Sequence, residues 1–336
     1  MASKKIKFHG LPTLPFDDWD DVSPAPSGTV SQNPYKNIEI KRPAKPPLPT
    51  DGLLYYFSMG SGSSGNSCYI GTSRGGIIID AGVRADEIET MVRDNGMEMK
   101  NVLGVLITHD HADHVKYVYS LLRNNRHLKV YCTNRVMNAI LRRHSISKRI
   151  KDYHVPIFKE IPFKIAELEI TAFEVPHDGA DNMGFSISFD NRNFVLATDM
   201  GEVAARARHY ISEANYLVIE SNYDLGMLLR GRYPEYLKAR IQTGVGHMDN
   251  LHTAAFLSET VTDRLSHIFL CHLSKDNNTP EIALKTVREA LEKKGKKVGK
   301  AENSIEDRKA DVQLMALPRY GSTRLFVFRP PVVATD

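Results

Sequence analysis

The sequence predicts an α/β fold in which mixed sheets are covered by helices. Three features of the chain between residues 53 and 328 point there. Short apolar runs, such as Gly76-Ile77-Ile78-Ile79 and Val102-Leu103-Gly104-Val105-Leu106-Ile107, read as buried strands. Segments with apolar residues at helical spacing separate many of these runs, an alternation that gives parallel neighbours. Other runs are joined by turns too short for a helix, Gly60 to Ser67 and Asp190 to Asn193, which give antiparallel hairpins.

The elements follow in order. Residues 1 to about 51 form a tail holding 9 of the 17 prolines. Proline fixes φ and removes a donor, so this density opposes helix and sheet. Within the tail, Leu14-Pro15-Phe16-Asp17-Asp18-Trp19-Asp20-Asp21 holds the only tryptophan. Phe16 and Trp19 suit packing on the body of the domain; the alternative is docking on a protein partner or over a basic groove. The domain proper is expected over residues 52–330. It opens with a strand at Leu53 to Ser58. Gly60 to Ser67 holds three glycines and four serines, a loop whose N–H groups and hydroxyls can approach a phosphate. The lysine of a P-loop is absent. Strands at Cys68 to Gly71 and Gly76 to Asp80 follow, then an amphipathic helix near Arg84 to Asn95.

After the run ending at Ile107 comes Thr108-His109-Asp110-His111-Ala112-Asp113-His114. Three histidines and two aspartates fall within six consecutive residues. The apolar spacing from Ala112 to about Arg123 predicts a helix, so the cluster lies on a strand-to-helix loop. His109 and His111 alternate from one extended segment, and Asp113 and His114 turn back from the helix start. Neutral imidazoles and carboxylates are good ligands for a borderline divalent metal such as zinc.

The chain from Val115 to Lys151 has no acidic residue but holds Lys116, Arg123, Arg126, Lys129, Arg135, Arg142, Arg143, Lys148, Arg149 and Lys151. Such a run is either a solvated face or a guide for a phosphate backbone. Thr133-Asn134 reads as the cap of a helix to about His144; His144 and His154 have no partner pattern. Strands are expected at Leu168 to Val175, Gly184 to Phe189 and Phe194 to Ala197. Leu217 to Asn222 reads as a strand that carries Glu220. A basic helical segment with Arg230, Arg232, Lys238 and Arg240 follows, and then His247 before a helix capped by Asp249 or Asn250. The strand His267 to Cys271 ends at His272. A helix over Glu281 to Glu292, a basic loop Lys293 to Lys300, and strands at Val312 to Leu317 and Arg324 to Phe328 complete the chain. Arg319 reads as structural, with reach to a ligand as the alternative.

Composition sets the frame. A hydrophobic fraction of 42% and a charged fraction of 25% are those of an ordinary globular protein, and 336 residues bury a sizeable core. No apolar run approaches the length of a membrane span. The net charge of +4 is compatible with a polyanionic partner without requiring one. Cys68, Cys132 and Cys271 are far apart, which suits a reducing compartment. The N-terminus has charge but no apolar h-region follows it, so the expected location is cytoplasmic.

The spacing H-x-H-x-D-H resembles the signature of the metallo-β-lactamase fold. That family adds a lone histidine, a bridging aspartate and a final histidine, each at a strand end. Here His177 follows Ile170 to Pro176, Asp199 follows Phe194 to Thr198, and His272 follows His267 to Cys271. Asp80 matches the family's early structural aspartate. The likeness runs from about residue 53 to 328 and does not include the tail. It implies a four-layer αβ/βα sandwich of two mixed sheets, with metals at one edge. It also implies two divalent ions, Zn or Mn. His109, His111 and His177 would hold one, Asp113, His114 and His272 the other, and Asp199 would bridge.

Only 73 positions separate Asp199 from His272, which excludes nuclease relatives with a large inserted domain there. Glu220 and the Gly246-His247 pair look like the catalytic pair of RNase Z enzymes, but the helix-rich tRNA-gripping insertion has no room. The Ser/Gly loop ending Gly65-Asn66-Ser67, the triplet Glu220-Ser221-Asn222, and His247 with its trailing Asn250 resemble the YycJ/WalJ-like group more closely. The resemblance implies a metal-dependent phosphodiesterase, a DNA exonuclease in which a metal-bridging hydroxide attacks in line. Asp113, His247 and Glu220 are the expected catalytic residues, with His247 stabilising charge or protonating the leaving oxygen and Glu220 orienting it. Ser63, Ser64, Asn66, Asn222 and Asn250 are expected to contact substrate, with DNA favoured over RNA. RNA processing and hydrolysis of a small cyclic phosphodiester are the enzyme alternatives. A thioesterase leaves the Glu220/His247 pair without a role. A metal-stabilised nucleic-acid-binding or scaffold protein is the alternative from another class. The cytoplasmic expectation argues against an exported antibiotic-degrading enzyme.

Overall fold

The computed structural model describes residues 51–302, 304 and 307–330; the proline-rich stretch before them, with Phe16 and Trp19, lies outside the described residues. The first apolar runs build a sheet in which β1 (Leu54–Gly60), β2 (Ser67–Thr72), β3 (Gly75–Ile79), β4 (Val102–Leu106), β5 (Lys129–Cys132) and β6 (His154–Pro156) lie side by side. β1 to β3 pair antiparallel and β3 to β6 parallel. The parallel pairs need crossovers, supplied by α1 (Ala85–Asp94), by α2 (Ala112–Val115) and α3 (Val118–Asn124), and by α4 (Asn134–Arg143). The Thr133 hydroxyl accepts from Val136 N at 3.2 Å and caps α4.

The second sheet contains β7 (Phe163–Ile165), β8 (Leu168–Glu174), β9 (Met183–Phe189), β10 (Arg192–Ala197), β11 (Tyr216–Glu220), β12 (His267–Cys271), β13 (Val298–Gly299) and β14 (Val312–Ala316). β7 to β10 are antiparallel, and the rest parallel. Asp190 and Asn191, at φ 49° and 57°, make the two-residue turn between β9 and β10. α5 (Ala205–Ser212) joins β10 to β11; α6 (Leu225–Arg230), α7 (Glu235–Ile241) and α8 (Asn250–Thr260) join β11 to β12; α9 (Pro280–Lys293) leads to β13. β15 (Phe326–Phe328) returns to the first sheet and pairs antiparallel with β1.

Alternation along β10, β11 and β12 feeds two cores. Phe194, Leu196, Tyr216, Val218, Phe269 and Cys271 face the first sheet, where the Tyr56 ring meets Phe194 at 4.8 Å and Phe269 at 5.0 Å. Val195, Ala197, Leu217, Ile219, Ile268 and Leu270 pack under α5, α8 and α9. Strands buried on both faces therefore read as continuous apolar runs. Each fully buried Phe, Ile or Leu contributes about 1.5–3 kcal/mol. The layers are helix, sheet, sheet, helix.

The structure departs from expectation in a few elements. The single helix expected from Ala112 to Arg123 breaks between α2 and α3, because Tyr117 N donates to Ala81 O at 2.9 Å. The basic helical segment is two short helices, with Pro234 as the N-cap of α7. The strands expected near the C-terminus lie in different sheets, and Val298–Gly299 within the expected basic loop pairs with β14. β5, β6, β7 and α5 are additional to the expected elements: the first three are only three or four residues long, and Lys129 and Lys164 interrupt their apolar character.

Candidate metal centre

Strand ends deliver the polar residues to one edge of the sandwich. Asp80 follows β3, the His109 to His114 segment follows β4, and His177 lies three residues past β8. Asp199 and His272 follow β10 and β12, and Glu220 closes β11. Asp80, Asp199 and His272 all have left-handed backbone, with φ of 61°, 50° and 55°. Such conformations cost about 1–3 kcal/mol each and persist where surrounding contacts hold them.

The side chains fall into two adjoining sets. His109, His111 and His177 offer ring nitrogens within 4.8 Å of one another, and Asp113, His114, Asp199 and His272 form a second set by the same measure. Hydrogen bonds orient the rings. His177 Nδ1 donates to Gly246 O at 2.9 Å, and His114 Nδ1 to Asp80 Oδ2 at 2.7 Å. This leaves Nε2 of each ring to the centre, the arrangement of metal-ligating histidines. Asp80 is itself held by Thr108 N at 2.9 Å and the Thr108 hydroxyl at 2.8 Å. Asp199 touches both sets: Oδ2 lies 3.4 Å from His109 Nε2 and 2.6 Å from His114 Nε2, and Oδ1 lies 2.9 Å from His272 Nδ1.

Charge and burial work against each other here. Burial would raise the Asp199 carboxyl, but His272 and His114 hold it well below the usual carboxylate range. Asp113 is held down at about 2 by His114 and His272, again against desolvation. Burial, reinforced by His114, pushes His109 well below the ordinary imidazole value and keeps the ring neutral. Its Nε2 is buried with no hydrogen-bond partner. An orphaned buried nitrogen costs about 1–3 kcal/mol. A neutral imidazole with a free lone pair, beside two more imidazoles and a carboxylate, is a donor set that fits a divalent metal.

Glu220 and His247 stand beside these sets. Glu220 is fully buried; Oε1 lies 2.7 Å from His247 Nδ1 and 3.1 Å from His272 Nδ1, and Oε2 accepts from Met200 N at 2.8 Å. Asp199, Glu220, His247 and His272 therefore form a third, overlapping cluster, but both oxygens of Glu220 are already engaged. The His247 ring lies 5.1 Å from His177 and 5.2 Å from His272, between the two sets of side chains.

Residues 76–272 match the Beta-lactamase superfamily domain family. The chain is 35% identical over 254 residues to Exodeoxyribonuclease YycJ of Bacillus anthracis, covering 74% of this chain and 93% of that one. It is 32% identical over 233 residues to Exodeoxyribonuclease WalJ of Streptococcus pneumoniae, covering 69% and 86%. The chain belongs to the metallo-β-lactamase-fold family, in its YycJ/WalJ group. It is a metal-dependent hydrolase. The metallo-β-lactamase-fold protein YhfI of Bacillus subtilis superposes with a TM-score of 0.56 over 82% of this chain and all of that one; at 13% identity it shows the fold alone.

The residues expected to contact substrate divide in this YycJ/WalJ-group hydrolase. Ser63 and Ser64 are exposed at the tip of the Ser/Gly loop. Asn66 is buried instead: Oδ1 accepts from Gly62 N at 2.7 Å, and Nδ2 donates to Asp113 Oδ2 at 3.1 Å. Asn222 is also buried and donates to His272 O at 2.7 Å, so it orients the His272 loop. Asn250 is turned into the interior, where it accepts from the Ser221 hydroxyl at 2.6 Å and donates to Asn278 at 2.9 Å. It offers no surface to a substrate, because Asp249 takes the capping position with bonds from Leu251 N and His252 N.

Sequence reasoning misses several supporting residues. The Ser61 hydroxyl accepts from His272 N at 2.9 Å. Asp178 Oδ1 lies 3.3 Å from His111 Nε2, while its Oδ2 holds the Arg240 guanidinium; its position directly after His177 is the available signal. Asp110 is buried and accepts from Arg143 Nη1 and Ala180 N, both at 2.8 Å. His144, which has no partner pattern in sequence, bonds the Asp110 carbonyl at 2.6 Å and so braces the motif loop.

Proposed function

We propose that this hydrolase is a phosphodiesterase that takes two divalent ions and removes nucleotides from DNA ends. The observation that carries it is the Glu220–His247 pair at 2.7 Å, set between two imidazole-carboxylate clusters. A hydrolase of thioesters has no need of this second acid-base pair. The two relatives bear the name exodeoxyribonuclease, which supports DNA as the substrate class.

His109, His111 and His177 would hold one ion, Asp113, His114 and His272 the other, with Asp199 shared. Divalent ions there lower the pKa of a water and withdraw charge from the phosphoryl oxygens. The chain's own residues do the rest. Glu220 engages Nδ1 of His247, which leaves Nε2 as the nitrogen that exchanges a proton with the leaving oxygen. Asn66 holds Asp113 in its orientation through Nδ2. Ser63 and Ser64 present hydroxyls to a phosphate at the loop tip. The exposed basic run from Lys116 to Lys151 draws in the DNA backbone. The free, buried cysteines Cys68, Cys132 and Cys271 go with a reducing, cytoplasmic setting. Among the described residues no helix is long and apolar enough to cross a membrane.

The experiment is digestion of linear duplex DNA, closed circular DNA, single-stranded DNA and RNA, with zinc and with manganese. Nucleotide release from linear DNA with the circle untouched is expected. Cutting of the circle makes the enzyme an endonuclease, digestion of RNA alone makes it an RNA-processing enzyme, and no cleavage of any polymer overturns the nuclease reading.

A further inference from the structure

Beside the Ser/Gly loop is a pocket of about 260 Å³ that shares only Ser64 with the chemistry above. Its walls include Ser64, Arg84, Glu87, Tyr117, Arg319 and Tyr320. Resting on the nuclease reading, we infer that it receives one unpaired nucleobase of the substrate, that of the nucleotide next to the cleaved bond.

The position argues for this first. Gly65 and Gly82 also line the pocket, and both belong to backbone that packs against the Asp113 segment. Asn66 N donates to Asp113 O at 2.8 Å, and Gly82 N to Asn66 O at 3.0 Å. A Cβ on Gly82 would stand 1.6 Å from Asp113 O, so the strap lies directly on the metal motif. The pocket therefore adjoins the backbone on which Asp113 is carried.

The wall chemistry argues for it next. Tyr320 is 66% exposed, a large ring left open to water at the pocket rim. Its hydroxyl meets the Ser64 hydroxyl at 3.1 Å, which places the ring beside the loop tip. That contact, then the nearby Lys275 and Arg319, lowers the Tyr320 hydroxyl below its ordinary value. Arg84 is tied to Asp86 at 2.8 Å and approaches Glu87 at 3.6 Å. Tyrosine rings stack on any base, arginine pairs with phosphate, and a carboxylate accepts from exocyclic amines. The volume admits one ring system, below the roughly 300–1,000 Å³ of sites for larger ligands. A base enters such a pocket only when unpaired, so the enzyme would take its substrate as single strand or as a frayed end.

The test compares wild type, Tyr320→Ala and Tyr320→Phe on single-stranded DNA. Bis(p-nitrophenyl) phosphate, a phosphodiester without a base, is the reference. Relative to it, Tyr320→Ala should raise KM for DNA by roughly five- to 150-fold, as loss of one stacked base implies. Tyr320→Phe should retain wild-type values. An abasic nucleotide beside the cleaved bond should cost the wild type the same factor and Tyr320→Ala nothing further. Equal behaviour of Tyr320→Ala and wild type on both substrates overturns the inference and leaves the nuclease reading intact. If no phosphodiester is cleaved, the nuclease reading falls by itself, and the fluorescence of a 2-aminopurine trinucleotide decides the pocket. Quenching by the wild type and not by Tyr320→Ala supports base binding; no quenching by either overturns it.

Discussion

Glu220 Oε1 engages His247 Nδ1 at 2.7 Å from a fully buried position, so a single carboxylate sets the direction of the imidazole that stands between the two histidine-bearing clusters. If His247 exchanges a proton and holds no metal, as proposed, chemistry and metal binding are separable at this ring. His247→Ala should lower turnover by about 10²–10⁴-fold, the usual contribution of a positioned acid or base. Its metal content, read by elemental analysis, should match the wild type. Loss of metal in this variant would make His247 a ligand instead.

Asp80 is tied to His114 by a different logic. It lies 2.7 Å from His114 Nδ1 and also accepts two bonds from Thr108, so it sets both tautomer and loop. Asp80→Asn should weaken metal affinity by about 10–100-fold, as loss of such an outer partner does. Competition against a chromogenic chelator measures this directly, and unchanged affinity would remove Asp80 from the account.

The basic face has two parts. All ten Lys and Arg residues from Lys116 to Lys151 are exposed, but Arg143 bonds Asp110 and Arg149 approaches Asp152. Among the described residues the other eight have no carboxylate partner. Arg135→Glu with Arg142→Glu, both on α4, should raise KM for duplex DNA. The slope of log affinity against log salt should fall by about 0.9 for each phosphate that the variant no longer neutralises. An unchanged slope would return this face to a plain solvated surface.

A pH effect is expected at the end of β12 opposite His272. His267 is partly buried against the Phe328 ring at 5.0 Å and the Tyr216 ring at 5.8 Å. Burial, then Arg324, pushes its pKa down to about 4 from an ordinary 6.5. Above pH 6.5 the ring is neutral in both folded and unfolded chains. Between 6.5 and about 4 the unfolded chain takes up the proton first, so stability falls as pH drops through that window. Allowing for partial exposure, the loss is on the order of 1–2 kcal/mol. His267→Gln should show a smaller fall than the wild type in urea titrations at pH 7.5 and 4.5. Equal slopes in the two proteins would contradict the shift.

Much of the clustering was legible because its residues are local or follow apolar runs. His109, His111, Asp113 and His114 lie in one short segment, and His177, Asp199 and His272 each follow an apolar run. The buried strands were legible for the same reason: both of their faces meet a core. What sequence could not show is set by distance. Ser61 reaches His272 across 211 positions, and nothing in the loop's composition announces that bond. Asn250 looked available beside His247, yet capping by Asp249 turns it inward, a choice made by tertiary packing with Ser221 and Asn278. The left-handed backbone at Asp80, Asp199 and His272 has no sequence marker either, since none of the three is glycine.

The measurement that bears most directly on the central claim is a metal titration. The protein is stripped with a chelator, and manganese or zinc is returned in steps while release from 5′-labelled linear DNA is followed, with Asp199→Ala alongside. The account predicts that activity climbs with the second equivalent of metal per chain and stays absent in Asp199→Ala. Full activity at one equivalent, or cleavage by Asp199→Ala at the wild-type rate, would contradict it.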